Sequence, residues 1–476
     1  MEGGAAKMNS GLFLFDTKDR ELKEVCANNG FEVRIYCCGP TVYRDAHVGN
    51  LRTFLLGDLI SRTLAFTGID SKLIQNITDV GHMGEDFEGN EVGEDKILAQ
   101  SKSQAREPFE IAREYEAHFH SDLAALNIIP AAAYPRASET IELMQNLIAE
   151  LIATDHAYVG GDGSLYFSAK SFPEYGELSG NRLDSLVPGH RYDYVDDGAK
   201  RFHADWALWK AAGDRTEMVW QSPWGLGFPG WHIECSAMSL HFLEGHVDLH
   251  LGGIDLRFPH HENERAQSNA GVGYEAVDSW VHGEHLLFEG RKMSKSAGNV
   301  ILLSDVVAKG LDPMALRLCF LENRYRSQMD LTWDSLKAAD STLSRWRQRI
   351  REWSSQGEID ESFISDFSLG SVTDIQKDLD IPRALQQLRK LEKDPYFTGA
   401  TKAACFTKLD EIYGLELGRP KETKKELSSE LIELLGERST ARAAKDFARS
   451  DKLRNQLSTL GISVKDSPTG QNWEWR

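Results

Sequence analysis

The most constraining stretch of the chain lies near its start. Residues 31–36, F-E-V-R-I-Y, alternate with the period of two that marks a strand. A Gly39-Pro40 turn follows, then Thr41-Val42-Tyr43 and a polar turn through Gly49. From Leu51 the pattern L-x-x-x-L-L-x-x-L-I-x-x-x-L is helical, and a second strand is expected over 72–78 after the Gly68 break. Strand, glycine-containing turn, helix and strand form the grammar of a parallel nucleotide-binding sheet.

The rest of the chain has to fit round that unit. Residues 107–155 read as mostly helical, 157–167 as a hairpin about the G-G-D-G turn, and 180–215 as polar and irregular. A new block opens at Pro229 with W-H-I-E-C, an apolar strand ending Gly252-Gly253-Ile254-Asp255, and P-H-H-E-N-E. After Ile301 helices are expected over 303–325, 333–356, 360–412 and 426–459. The fold class is therefore α/β: a Rossmann-type parallel-sheet domain split by an insertion, followed by an all-α C-terminal region. A length of 476 residues agrees, favouring roughly three domains.

Charge excludes some functions. With 54 Lys+Arg against 73 Asp+Glu, the net charge of −19 argues against a protein that coats nucleic acid generally. The balance is uneven, because 421–476 holds 11 basic and 9 acidic residues. There Arg438, Arg442, Lys445, Arg449 and Lys452 step by three and four, as on one helical face. Arg345, Trp346, Arg347, Arg349 and Arg351 form a second basic patch with an aromatic inside it. No run reaches the roughly 18 apolar residues of a membrane span, and residues 1–10 lack the apolar core of a secretory signal. Six scattered cysteines suit a reducing cytoplasm better than a disulfide framework.

Two motifs carry chemistry. Lys292-Met293-Ser294-Lys295-Ser296 places two lysines three apart, with hydroxyls close by, after a strand. Such a loop can grip a triphosphate and follow the charge that builds on leaving pyrophosphate. His47-Val48-Gly49-Asn50 sits at a strand-to-helix turn, where backbone N–H groups face an anion and glycine permits close approach. There are also candidate metal ligands: Cys37 or Cys38, Cys235, and a choice among His260, His261, Glu262 and Glu264. Sulfur, imidazole and carboxylate donors suit tetrahedral zinc, but spacing alone does not select among them.

H-x-G-H/N followed about 240 residues later by K-M-S-K-S resembles the signature pair of class I aminoacyl-tRNA synthetases. Further stretches make the likeness more specific: L-F-L-F-D-T-K-D-R, Y-C-C-G-P-T-V-Y, H-V-G-N-L-R-T-F, G-W-H-I-E-C-S-A-M, G-G-I-D-L-R-F-P-H-H-E-N-E and A-K-D-F-A-R-S-D-K-L-R-N-Q-L. Over 11–476 the chain resembles the cysteinyl-tRNA synthetase family. The resemblance implies a cysteine–tRNA ligase that makes cysteinyl-adenylate from L-cysteine and ATP and passes the cysteinyl group to the 3′-terminal adenosine of tRNA(Cys). It places one zinc on Cys38, Cys235, His260 and Glu264, where the metal selects the substrate thiolate, and brings Mg2+ with the ATP. Thr41, Trp231 and His260 are expected to line the cysteine pocket. Gly39, His47, Gly49, Asn50, Gly252, Gly253, Asp255, Lys292 and Lys295 are expected to bind ATP, with His47, Asn50, Lys292 and Lys295 catalytic.

The same resemblance implies six regions: catalytic halves at 1–120 and 216–300, a connective insertion at 121–215, a junction at 301–340, a helical anticodon-binding bundle at 341–425, and a small tRNA-binding domain at 426–476. Trp346, Trp473 or Trp475 would stack on anticodon bases. A cytoplasmic monomer is expected by analogy. Two positions depart from the usual pattern: Asn50 stands where the motif has histidine, and Leu251 replaces a glycine on the side expected to meet the ribose.

Overall fold

Strands β1 (Met8–Asp16) and β2 (Glu21–Ala27) form an antiparallel hairpin, after which the expected βαβ unit begins. β3 (Glu32–Cys37) is buried from Val33 onward. α1 (Val48–Phe66) starts at a capping box: the Asn50 N–H donates to His47 Nδ1 and the His47 N–H to Asn50 Oδ1, both at 3.2 Å. Gly68, at φ +80°, then turns the chain through the left-handed region into β4 (Asp70–Gln75), which runs parallel to β3.

An excursion follows. β5 (Met83–Glu85) pairs with β6 (Glu91–Asp95), and helices α2 (Lys96–Gln104), α3 (Pro108–Ala125) and α4 (Ile141–Ala153) come next. The expected hairpin forms as β7 (Ala157–Val159) and β8 (Leu165–Phe167). The described part of the 180–215 segment is more regular than its polarity suggests. It supplies β9 (Trp206–Ala211), and with β10 (Gly227–Pro229) the antiparallel order is β10-β9-β8-β7. Aromatic burial drives this pairing: Trp206 stacks on Phe167 at 4.5 Å, and Trp209 is buried as well.

The chain returns through α5 (Trp231–Phe242), β11 (Val247–Gly253), α6 (His260–Val272) and β12 (Val277–Gly283). The parallel sheet has the order β12-β11-β3-β4. From β3 the chain builds outward to β4, and on its return it lays β11 on the other side of β3. The direction of building reverses between β3 and β11, and ligands of open parallel sheets bind at the carboxyl ends of such a pair.

β13 (Leu286–Phe288), β14 (Arg291–Lys292), α7 (Leu303–Ala308), α8 (Pro313–Leu321) and β15 (Met329–Leu331) follow, the three strands ordered β14-β13-β15. The helix expected over 303–325 is thus two, divided at Gly310 (φ +75°) and restarted by the Asp312 cap. A bundle of α9 (Trp333–Trp353), α10 (Glu361–Ile375), α11 (Ile381–Lys393) and α12 (Gly399–Tyr413) comes next. Asp378 and Leu379, both at positive φ, and Pro395 break the single helix expected over 360–412.

The basic patch on α9 is divided: Trp346 and Arg347 are buried, Arg349 is half-buried, and Arg345 and Arg351 are exposed. Trp346 is 0% exposed and donates to Glu392 Oε2 at 3.2 Å, so it cannot stack on a nucleobase. Arg345 and Arg349 pair with Glu392, while Arg347 binds Asp312 and the carbonyls of Leu415 and Glu416.

In this computed structural model the described residues are 7–81, 83–85, 91–186, 199–293, 298–420, 428–467 and 470–475. They belong to two units, 1–418 and 419–476, each with its own core. The second unit packs α13 (Ser429–Ala443) and α14 (Phe447–Thr459) with an antiparallel hairpin of β16 (Ile462–Ser467) and β17 (Gly470–Trp475) around Leu431, Leu435, Leu457, Ile462 and Val464. The helical C-terminal region therefore ends on strands. Nor do the five cations share one face. Lys445, at φ 60°, breaks the helix between Arg442 and Arg449, and Arg438 is buried, donating to Gln471 Oε1 at 2.8 Å. Trp473 is 41% exposed, while the Trp475 side chain lies outside the described residues. Among the described residues no helix is long and apolar enough to cross a membrane.

Candidate active site and metal centre

The carboxyl ends of β3 and β11 carry the site. Cys38 follows β3, Cys235 lies one turn into α5, and His260 and Glu264 share a face of α6. All four are buried, with their donor atoms within 4.8 Å of one another. Cys38 Sγ stands 3.8 Å from Cys235 Sγ and 3.5 Å from Glu264 Oε1, and His260 Nε2 is 2.9 Å from Glu264 Oε1. Two thiolates about 2.3 Å from one tetrahedral zinc lie about 3.8 Å apart, so the sulfur pair already has that spacing. Glu264 Oε2 is buried without a well-directed hydrogen bond, its nearest partner being His250 Nε2 at 3.3 Å.

Electrostatics also favour a cation here. Burial pushes Glu264 and Cys38 well above their ordinary values. Burial would raise Cys235 too, yet it ends below its usual value because Cys38 donates to it and His260 lies beside it. Such a donor set can hold a metal ion, and its two sulfurs suit zinc. His260 is oriented from behind, its Nδ1 lying 2.8 Å from His232 Nδ1, in the manner of an imidazole ligand held by a second group. Trp231 lies over the His260 ring at 4.2 Å.

Three further histidines crowd the floor of this site: His261, already among the candidate ligands, and His250 and His282, which sequence reasoning missed. His250 and His261 approach Cys38 Sγ at 3.5 and 3.3 Å, and a chain runs from His261 Nδ1 to His282 Nε2 and from His282 Nδ1 to Thr17 Oγ1, both steps at 2.8 Å. Burial holds His250 and His261 well below the usual imidazole value and lowers His282 to about 3, so all three are neutral at pH 7. Cys38, His250, His261 and Glu264 form an alternative four-donor group, but with a single sulfur it is the poorer match to zinc. A histidine inside each of two otherwise buried strand sequences, D-L-H-L and W-V-H-G, was the available signal.

The nucleotide-type turn begins one residue beyond Cys38. Gly39 N–H donates to Asn76 Oδ1 at 2.8 Å, and a Cβ on Gly39 would fall 1.7 Å from the Asn76 carbonyl oxygen. Thr41 pairs with Thr78 through a backbone bridge. His47 caps α1, and burial, helped by Arg44, lowers it to about 4 against the opposing pull of Asp255. It is therefore neutral. Because Nδ1 accepts the Asn50 N–H, the proton sits on Nε2, which is left as a donor. Asn50 is exposed, its Oδ1 engaged by the His47 N–H.

The two signature motifs meet. Val48 N–H donates to Ile301 O at 3.0 Å, His47 pairs with Leu302, and Met293 Cε lies 3.1 Å from where a side chain on Gly49 would begin. Lys292 ends β14, whereas Lys295 lies outside the described residues. Gly252 and Gly253 end β11, and a Cβ on Gly252 would strike the His261 ring at 2.4 Å. Asp255 is exposed in the following short 3-10 turn. Leu251 does not crowd this side: its fully buried side chain lies against Gly57 of α1, on the opposite face of the strand from Gly252.

Comparison with known proteins agrees with this geometry. A family model described as "tRNA synthetases class I (C) catalytic domain" matches residues 24–341, and one described as "Cysteinyl-tRNA ligase anticodon binding domain" matches 424–473. The chain is similar to the cysteine–tRNA ligase of Thermus thermophilus, 40% identical over 97% of this chain and 99% of that protein. It is likewise similar to cysteine–tRNA ligase 1 of Burkholderia lata, 39% identical over 97% and 96%. Among solved structures, the methionyl-tRNA synthetase of Mycobacterium tuberculosis bound by methionyl-adenylate shares the fold, with a TM-score of 0.57 at 14% identity over 81% of this chain and 93% of that one. Full-length likeness to these ligases, both domain matches and the class I fold together place the chain in the cysteine–tRNA ligase family of class I aminoacyl-tRNA synthetases.

Proposed function

We propose that the chain joins L-cysteine to tRNA(Cys) in two steps at the carboxyl edge of its parallel sheet. The cysteine carboxylate attacks the α-phosphorus of ATP, and pyrophosphate leaves. The terminal adenosine hydroxyl of the tRNA then attacks the acyl carbon of cysteinyl-adenylate, releasing AMP. One observation carries the reading: a buried Cys–Cys–His–Glu cluster stands one residue from the nucleotide-type turn, at the strand pair where the sheet reverses.

The roles follow from placement. His47 donates from Nε2 to the α-phosphate, and Asn50 adds its Nδ2 group; neither is cationic at pH 7. Lys292 and Lys295 therefore carry the positive charge that meets the departing pyrophosphate, with Mg2+ accompanying the ATP. Gly39 and Gly49 face the nucleotide, Gly252 and Gly253 approach the ribose, and Asp255 accepts its hydroxyls. Thr41, Trp231 and His260 bound the amino-acid pocket, Trp231 covering the His260 ring.

Cys38, Cys235, His260 and Glu264 would hold zinc, which supplies a soft Lewis acid selective for the substrate thiolate over a serine hydroxyl. An apolar pocket discriminates such a small change by only about 1–3 kcal/mol. The connective region at 121–215 separates the catalytic halves 1–120 and 216–300. The junction at 301–340 meets the acceptor stem, and the bundle at 341–425 with the domain at 426–476 reads the anticodon arm, with Trp473 the exposed aromatic. The protein works as a cytoplasmic monomer.

Cysteine-dependent pyrophosphate–ATP exchange tests this, with serine as competitor, before and after zinc chelation. Exchange that requires cysteine, ignores serine and stops on zinc removal is expected. Zinc-loaded protein without exchange would overturn the reading.

A further inference from the structure

The described residues on either side of the K-M-S-K-S motif are both tied to α1. After the motif, Ile301 and Leu302 are tied to the first turn of that helix by the Val48–Ile301 hydrogen bond and the His47–Leu302 pairing. Before the motif, the ribbon that carries Lys292 is tied to the next turn by one buried side chain, Arg52. Nη1 of Arg52 donates to Glu284 O at 2.9 Å and to His285 O at 3.4 Å, and Nη2 donates to Arg324 O and Ser327 O, both at 2.9 Å. Residues 284–285 lead into β13 and residues 324–327 into β15. Those strands pair, His285 O also accepting the Met329 N–H at 3.2 Å, and β13 in turn pairs with β14, where Leu287 opposes Lys292.

One guanidinium thus fastens the roots of both strands that support Lys292 to the helix that begins at His47. A planar fork with paired donors can reach two chain segments at once; an ammonium offers a single nitrogen. Burial lowers Arg52 to about 10, so it stays charged at neutral pH, and its hydrogen bonds among the described residues go to backbone carbonyls.

We infer that Arg52 is a positioning residue for adenylate formation, holding the β13–β14 ribbon, and Lys292 with it, in register with the His47 turn. The inference rests on the phosphate role proposed for Lys292. Arg317 makes a suitable comparator. It is 0% exposed and donates to the carbonyls of Tyr413, Leu126 and Asn127 and to Asp58, yet none of these partners lies in the His47 turn or in β13, β14 or β15.

The experiment compares Arg52→Lys, Arg317→Met and Lys292→Ala in the zinc-loaded full chain, measuring pyrophosphate exchange, the KM for cysteine and for ATP, zinc per chain and melting temperature. Arg52→Lys keeps the charge and so guards against simple misfolding. It is expected to keep its zinc and its KM for cysteine while kcat for exchange falls by about tenfold to a hundredfold, as for reacting groups displaced by about 1 Å. Arg317→Met is expected to melt at least as early but to retain kcat per folded molecule. If Arg52→Lys loses activity only in proportion to its unfolded fraction, as Arg317→Met does, Arg52 is merely structural and the inference fails. If Lys292→Ala exchanges at the wild-type rate, the phosphate role fails instead, and the Arg52 comparison still reports separately on whether the ribbon's placement matters.

Discussion

Replacing Gly39 by alanine is the change this site should tolerate least. The new Cβ would stand 1.7 Å from the Asn76 carbonyl oxygen and 2.8 Å from its carbon, both backbone atoms. Real Cβ contacts essentially never fall under 3.0 Å, so the carbonyl must retreat by about 1.3 Å. Asn76 cannot move alone. Its Oδ1 accepts the Gly39 N–H at 2.8 Å, its Nδ2 donates to Thr78 Oγ1 at 3.0 Å, and Thr78 Oγ1 donates to Glu234 Oε2 at 3.0 Å. Asn76, Thr78 and Glu234 are all buried, and the two ends of this chain lie beside Cys38 and Cys235.

Losing one buried hydrogen bond costs about 1–3 kcal/mol. Displacing the turn by more than 1 Å relative to the cysteine pocket should lower exchange by about a hundredfold. Pyrophosphate exchange, zinc per chain and thermal melting read the outcome. Gly370→Ala on α10 is the control, since a Cβ there meets nothing within 4 Å, and it should be neutral or slightly stabilising. A Gly39→Ala enzyme within about twofold of wild type, with full zinc and an unchanged melting temperature, would refute the reasoning.

Other consequences are simpler to check. Cys235→Ser should lose zinc by metal analysis and cysteine-dependent exchange with it, whereas Cys405→Ser, at a buried thiol on α12, should keep both. Trp346→Phe removes the Nε1 donor to Glu392 and should lower stability to urea by about 1–3 kcal/mol, leaving the salt dependence of tRNA binding unchanged. Arg442→Glu with Lys452→Glu should reduce that salt slope by roughly 0.7–0.9 for each tRNA phosphate no longer neutralised, measured by filter binding. His47 is held near 4 when folded and titrates near 6.5 when unfolded, so its neutral form contributes stability in full above about 6.5 that is lost as pH falls toward 4. His47→Gln should flatten that part of the stability–pH curve.

How far the sequence could be read depended on the range of the interaction. The βαβ unit was legible because alternation, the turn and the 3.6-residue period all act within a few positions. On α6 the four-residue step from His260 to Glu264 was equally plain, but which neighbours shared the site was not. Glu262 turns away to accept the Ser179 N–H at 2.7 Å, while His261 turns toward Cys38. That choice depends on a partner 83 residues away. Charge patterns were only partly legible for the same reason: Arg349 and Arg438 read as members of basic patches until Glu392 and Gln471 arrive from 43 and 33 positions away.

His250 and His282 show what long-range register adds. Neither matched a motif, and each stands between residues that read simply as strand, in D-L-H-L and W-V-H-G. Parallel pairing sets Gly252 of β11 opposite His282 of β12, and Leu249, His250 and Leu251 opposite Ile35, Tyr36 and Cys37 of β3. The alternation that buries Leu251 against α1 necessarily turns His250 and Gly252 to the other face, where Gly252 leaves room for the His261 ring. Sheet order then brings Cys38 into the same space, because the chain builds β4 on one side of β3 and β11 on the other. The four-donor cluster and the nucleotide-type turn are thus joined by a single peptide bond, Cys38–Gly39. A change meant to alter only the nucleotide turn must therefore be felt at the sulfurs, which is why zinc content and exchange should fall together in Gly39→Ala.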